Sequence, residues 1–294
     1  MDALAVQDVP RHRFAAAMRA NSVDYAQPQL VKAPVPLVAH YLPGTGRRLV
    51  VSLAGVGGAS DVHRAQPMEF IGTASGRGEN HVLFIADVSR SWMNAPGLAE
   101  NIVKLIESYR DAHRVTEVVT MGNSMGGFAA LVLPDLIPIK TAISFSPQFS
   151  MNPSTVPTEA RWEKHQRNIR VWRFGDVGDL AQKDTQYFIL HGDHPMEAAH
   201  WMRFRQHSRA HHYIVRGSGH GLAAQLRKRL ILQRVIDAAI AHKPRQVRKA
   251  LEHSFRGRRF DVYRREVYLQ KHPELRIAED GALVGHPRTK EARP

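Results

Sequence analysis

The chain has 294 residues and 43% hydrophobic content, enough for one large α/β domain with an appendage and too apolar for wholesale disorder. It contains no cysteine, which excludes disulfides and thiolate metal sites and fits a reducing compartment. Half of the net charge of +14 lies in residues 243–294, with 14 Lys+Arg against 7 Asp+Glu, so the charge reads as a solvated basic helical tail or as a surface for an anionic partner.

Residues 1–30 form an N-terminal segment with a short helical pattern over 14–18 and then a polar stretch. Its first eight residues carry acid and no long apolar run, unlike a secretory signal. No stretch approaches the length of a membrane span, so the expected location is cytoplasmic. The main domain is expected over 31–243. Pro34 and Pro36 block helix at its start, and strands follow at 37–42 and 48–53. The second of these ends in a glycine-rich turn, Gly55-Val56-Gly57-Gly58, which lacks the Gly-Lys-Ser/Thr of a phosphate loop. Further strands are expected at 81–87, 115–121, 141–146, 186–190 and 212–215, and helices at 98–112, 125–133, 195–204 and 222–242. Residues 147–183 are mixed and polar with Trp162, Trp172 and Phe174, the composition of a lid or pocket-wall insertion. The basic segment 244–294 contains amphipathic helical pieces whose aromatics either dock on the body or stack on bases or sugars. Strands alternate with helices, so the fold class is α/β, a doubly wound and mostly parallel sheet. Loops from distant parts of the sequence then meet at its carboxyl edge.

The run 118–130 reads as a buried strand, a Gly122-Asn123-Ser124-Met125-Gly126 turn and a helix. Ser124 therefore projects above the sheet. A serine hydroxyl is a weak nucleophile at neutral pH and needs a base, and the base needs an acid to fix its tautomer. The candidate base is His220, in the Gly-Ser-Gly-His-Gly turn after the last strand. The candidate acid is Asp193, directly after the strand-ending Gly192. Glu197 is the reserve, and Asp176 and Asp179 lie farther off. His191, His194 and His200 lack the carboxylate–histidine spacing of a metalloprotease, so structural roles are expected, with no metal and no cofactor.

These pieces resemble the α/β-hydrolase superfamily over residues 37–242, through the elbow around Ser124, the Gly55-Val56-Gly57 turn and Gly219-His220. The resemblance implies acyl transfer to water through an acyl-serine, with Ser124 as nucleophile, His220 as base and Asp193 as acid. It also implies an oxyanion hole from the backbone N–H groups of Val56 and Met125. Phe145-Ser146-Pro147-Gln148 and Arg161-Trp162 are similar to bacterial hydrolase-like proteins found among polysaccharide-related genes, which turns the substrate expectation toward an acylated carbohydrate. The expected function is a carboxylic-ester hydrolase acting on a small-molecule ester or acylated glycan; acyltransferase chemistry is a variant of it. The alternative is a catalytically inactive hydrolase-fold scaffold that binds an anionic polymer or protein through its tail.

Overall fold

A computed structural model describes residues 27–57, 66–182, 184–205, 207–255, 257–271, 273, 276–277 and 283–284. The helical pattern at 14–18 and most of the chain beyond 271 lie outside the described residues. One sheet organises the rest. Its strands are β1 (Gln29–Val31), β2 (Leu37–Leu42), β3 (Arg48–Leu53), β4 (His81–Asp87), β5 (Glu117–Asn123), β6 (Thr141–Phe145), β7 (Gln186–Gly192), β8 (Ala210–Val215) and β9 (Arg258–Arg259). Their order is β1-β2-β4-β3-β5-β6-β7-β8-β9. The six from β4 to β8 run parallel. Antiparallel β1 and β2 extend one edge and antiparallel β9 the other. Strands such as β4 and β6 are buried along their whole length, as parallel strands covered on both faces must be.

Helices in chain order are α1 (Ile71–Ala74), α2 (Leu98–Ala112), α3 (Met125–Val132), α4 (Glu163–Gln166), α5 (Pro195–Trp201), α6 (Leu222–Lys228), α7 (Leu232–Ile240) and α8 (Pro244–Phe255). Alternation along the strands sends side chains to two cores. Val50, Val119 and Ile143 meet Leu222, Val235 and Leu251 from α6, α7 and α8. Leu49, Val51 and Leu53 meet Leu98, Ile102 and Ile106 from α2. The expected helix over 222–242 is two helices instead. Leu230 takes φ 58° and is 90% exposed, and the Ile231 N–H reaches back to Leu226 O at 3.1 Å. That break re-aims the chain so that α6 and α7 each lay an apolar face on the same core.

The basic segment is bound to the body as far as residue 268. Val247, Ala250 and Leu251 of α8 are buried in the main core. Phe260, Tyr263 and Tyr268 surround the buried Trp201, with ring centroids 5.8, 5.7 and 4.8 Å from it. These aromatics are core side chains, which removes them as a stacking platform for bases or sugars. No helix among the described residues is long and apolar enough to cross a membrane.

Candidate active site

β5 ends at Asn123 and α3 begins at Met125, so Ser124 alone makes the turn. It takes φ 58° and ψ −121°, a conformation costing a non-glycine residue about 1–3 kcal/mol that surrounding contacts must hold. The Ser124 N–H donates to Phe145 O at 2.9 Å, and the Phe128 N–H donates to Ser124 O at 2.9 Å. Backbones touch around it. A Cβ on Gly122 would lie 2.3 Å from the Gly126 carbonyl, and one on Gly126 would lie 2.0 Å from Leu53 O. The end of β3, the end of β5 and the start of α3 are therefore packed to the limit that glycine allows.

The amides of Val56 and Met125 lie just beyond the end of β3 and just beyond Ser124. Met125 opens α3, where an N–H has no partner within the helix. Among the described residues neither amide donates to another group. The neighbouring groups are already taken: Arg90 Nε donates to Val56 O at 3.0 Å, and the Gly55 N–H donates to Glu69 Oε1 at 3.3 Å. Burial pushes the Glu69 carboxyl up to about 7, against the Gly55 hydrogen bond.

His220 follows β8 in the glycine turn. Its Nδ1 lies 3.1 Å from Glu197 Oε1, and its ring lies 4.9 Å from the Trp162 ring. A carboxylate only accepts, so Nδ1 carries a proton, and in the neutral ring Nε2 is the bare nitrogen. The Glu197 side chain, in the first turn of α5, is 1% exposed. It also receives Arg161 Nη1 at 2.5 Å. Burial alone would push its carboxyl up; the hydrogen bond from His220 and the charges of His220 and Arg161 outweigh that and hold it at about 2. Arg161 in turn is forked onto Glu159, whose Oε2 accepts from His200 Nε2 at 2.7 Å. Glu197 and His200 lie one turn apart on α5, so Glu159-Ala160-Arg161-Trp162 clamps the helix and the histidine together.

Asp193 departs from its expected place. Its Oδ1 accepts from the Gly217 N–H at 2.8 Å, and its own N–H donates to Val215 O at 3.2 Å. It staples the loop after β7 to the loop after β8, while the carboxylate on His220 is that of Glu197. Asp176 accepts from the Gly178 N–H and Asp179 pairs with Arg205, both at exposed positions. The other histidines are internally bonded. His191 is fully buried, between His212 Nε2 and Pro147 O, each at 2.9 Å. His194 Nδ1 accepts from the Met196 N–H and caps α5.

Ser124 is 3% exposed. Among the described residues its Oγ has no direct bond to His220; it accepts from Gln148 Nε2 at 3.0 Å. Gln148 Oε1 accepts from Trp92 Nε1 at 3.1 Å, and Trp92 packs 6.4 Å from Trp162, the ring that lies on His220. Gln148 and Arg161 both come from the stretch 147–183, whose described residues hold one short helix, α4.

No family model matches the chain, and no curated protein does. Among solved structures it is similar to Est1E from Butyrivibrio proteoclasticus, at 16% identity and TM-score 0.50, covering 76% of this chain and 100% of that one. The chain has the α/β-hydrolase fold. Weaker likenesses are to an α/β serine hydrolase without a lid from Xanthomonas campestris, at 15% identity, TM-score 0.46 and 78% and 96% coverage, and to the capsule O-acetyltransferase of Neisseria meningitidis serogroup A, at 12% identity, TM-score 0.49 and 71% and 93% coverage.

Proposed function

We propose that the protein is a serine hydrolase that cleaves a carboxylic ester through an acyl-serine. What carries this is a serine held in a strained elbow, φ 58°, joined through Gln148, Trp92 and Trp162 to a histidine that donates to a buried carboxylate. In this reading Ser124 attacks the ester carbonyl and His220 Nε2 takes its proton. Glu197, in place of Asp193, orients the imidazole and stabilises its charged form. The amides of Val56 and Met125, which donate to no group among the described residues, receive the developing oxyanion. Contacts between nucleophile and base tighten when substrate fills such a site. The small exposure of Ser124 favours a short acyl group, and an acylated carbohydrate remains our substrate class. Hydrolysis of p-nitrophenyl acetate by the wild type, with loss in Ser124→Ala, tests the reading; equal rates in the two reject it.

The second reading, a hydrolase-fold scaffold for an anionic polymer, draws support from Arg258 and Arg259, both exposed on the edge strand β9. It requires binding to a polyanion that falls steeply with salt and survives Ser124→Ala.

A further inference from the structure

Gln148 is 0% exposed and lies directly against the serine. Which end of its amide faces Ser124 follows from its other neighbour. The Trp92 indole N–H can only donate, so the Gln148 atom it meets at 3.1 Å is the oxygen. The amide nitrogen, 3.0 Å from Ser124 Oγ, therefore donates to it. A hydroxyl can accept while still donating its own proton, so this bond leaves the Ser124 O–H for His220.

The group that fixes the amide is itself fixed at a cost. Arg90, Trp92 and Met93 take φ of 52°, 48° and 70°, three left-handed non-glycine residues within four positions. Asp87 holds that loop by accepting from the Ser91 N–H at 2.6 Å and the Ser91 hydroxyl at 2.8 Å. Asn94 ties it to the insertion, accepting from the Phe174 N–H at 2.8 Å and donating to Phe174 O at 3.3 Å. Strain of this kind persists where the surroundings over-determine it, and here it serves to present one indole N–H to one amide.

We infer that Gln148 is a catalytic residue, a side-chain donor acting on the nucleophile oxygen itself. The inference rests on the serine-hydrolase reading above. In acylation the Ser124 O–H bond breaks, the proton goes to His220 Nε2, the Oγ electron pair bonds the ester carbonyl carbon, and the bond from that carbon to the alcohol oxygen breaks as His220 passes the proton to the departing alcohol. In deacylation His220 Nε2 takes a proton from water, the water oxygen bonds the carbonyl carbon, the C–Oγ bond breaks with its pair returning to Oγ, and His220 gives that proton to Oγ. Oγ carries negative charge in both transition states, and Gln148 stabilises it there. The backbone amides act on the other oxygen, that of the substrate carbonyl.

The test is the rate at which a fluorophosphonate labels the full chain, wild type beside Ser124→Ala, Gln148→Glu, Gln148→Leu and Trp92→Phe. Gln148→Glu keeps the shape and the acceptor for Trp92 but removes the N–H. Both Gln148 variants should label about 100-fold more slowly at pH 8, and Trp92→Phe, which frees the amide to turn, about 10-fold. The Gln148→Glu deficit should narrow toward acid, where its protonated carboxyl again donates; a merely structural role would not produce this. Labelling of Gln148→Glu at the wild-type rate, with Ser124→Ala unlabelled, overturns the role of Gln148 and leaves the hydrolase reading standing. A wild type that is not labelled, or labelling that persists in Ser124→Ala, overturns both.

Discussion

Replacing Glu197 by Gln removes a charge without changing shape, and the structure sets the size of the effect. The carboxyl is held at about 2 instead of 4.5 although its side chain is 1% exposed. At about 1.4 kcal/mol per pH unit, the favourable interaction of the ionised form is worth roughly 3 kcal/mol. Arg161 supplies part of that interaction, and losing the part that runs to His220 from a transition state in which His220 becomes charged is a fall of up to about a few hundredfold in kcat. A misset tautomer adds to it, since the amide can turn its NH2 to His220. Asp193→Asn should stay within about threefold, because the Gly217 N–H that Asp193 receives meets an acceptor in either side chain. The assay is kcat and KM on p-nitrophenyl acetate, with thermal melting to show that each variant folds. A few-hundredfold loss in Asp193→Asn with near-normal rates in Glu197→Gln would refute this assignment of the acid.

Stability should fall with acid in two stages. His191 is held at about 4 chiefly by burial, and His212 well below its usual value, also by burial. The folded chain thus binds fewer protons than the unfolded one, and their contribution, complete above pH 6.5, is lost as pH falls toward 4. Glu159 and Glu197, each held at about 2 by their cationic partners against burial, add a further loss between about 4.5 and 2. Melting temperature followed from pH 8 to pH 3 checks this, and a flat profile contradicts it. Arg161→Met leaves Glu159 and Glu197 as buried carboxylates without their shared cation and should cost about 3–5 kcal/mol in urea unfolding; Glu159→Gln added to it should recover part of the loss. Phe260→Ala should cost about 3–5 kcal/mol by the same measurement, because the ring is 1% exposed against Trp201; a neutral result would mean the basic segment does not help to hold the body together.

The elbow was legible because its information is local. A buried β run, three glycines at contact distance and a helix-forming run lie within thirteen residues, and no distant partner is needed to read them. The carboxylate that meets His220 was legible only as a choice. Asp193 stands where a strand end presents a carboxylate, but the side chain bends to Gly217. Glu197 is one turn into α5, and a helical side chain leans toward the N-terminus of its helix, where the glycine turn brings His220. Gln148 and Arg161 entered the sequence reading only within a resemblance, and nothing local gave either one a role. Their partners lie 24 and 36 residues away in sequence, and only the folding of 147–183 over the carboxyl edge of the sheet brings them together. The break at Leu230 was hidden because the apolar spacing continues through it, while the backbone does not.

The sheet's outermost strand on the β8 side consists of two exposed arginines and pairs with Tyr213 and Ile214. This short strand blunts what would otherwise be an open ladder of amides and carbonyls. A second molecule approaching along that rim meets like charge before it meets backbone. Two arginines of the basic segment thus cover part of the ladder that β8 would otherwise present.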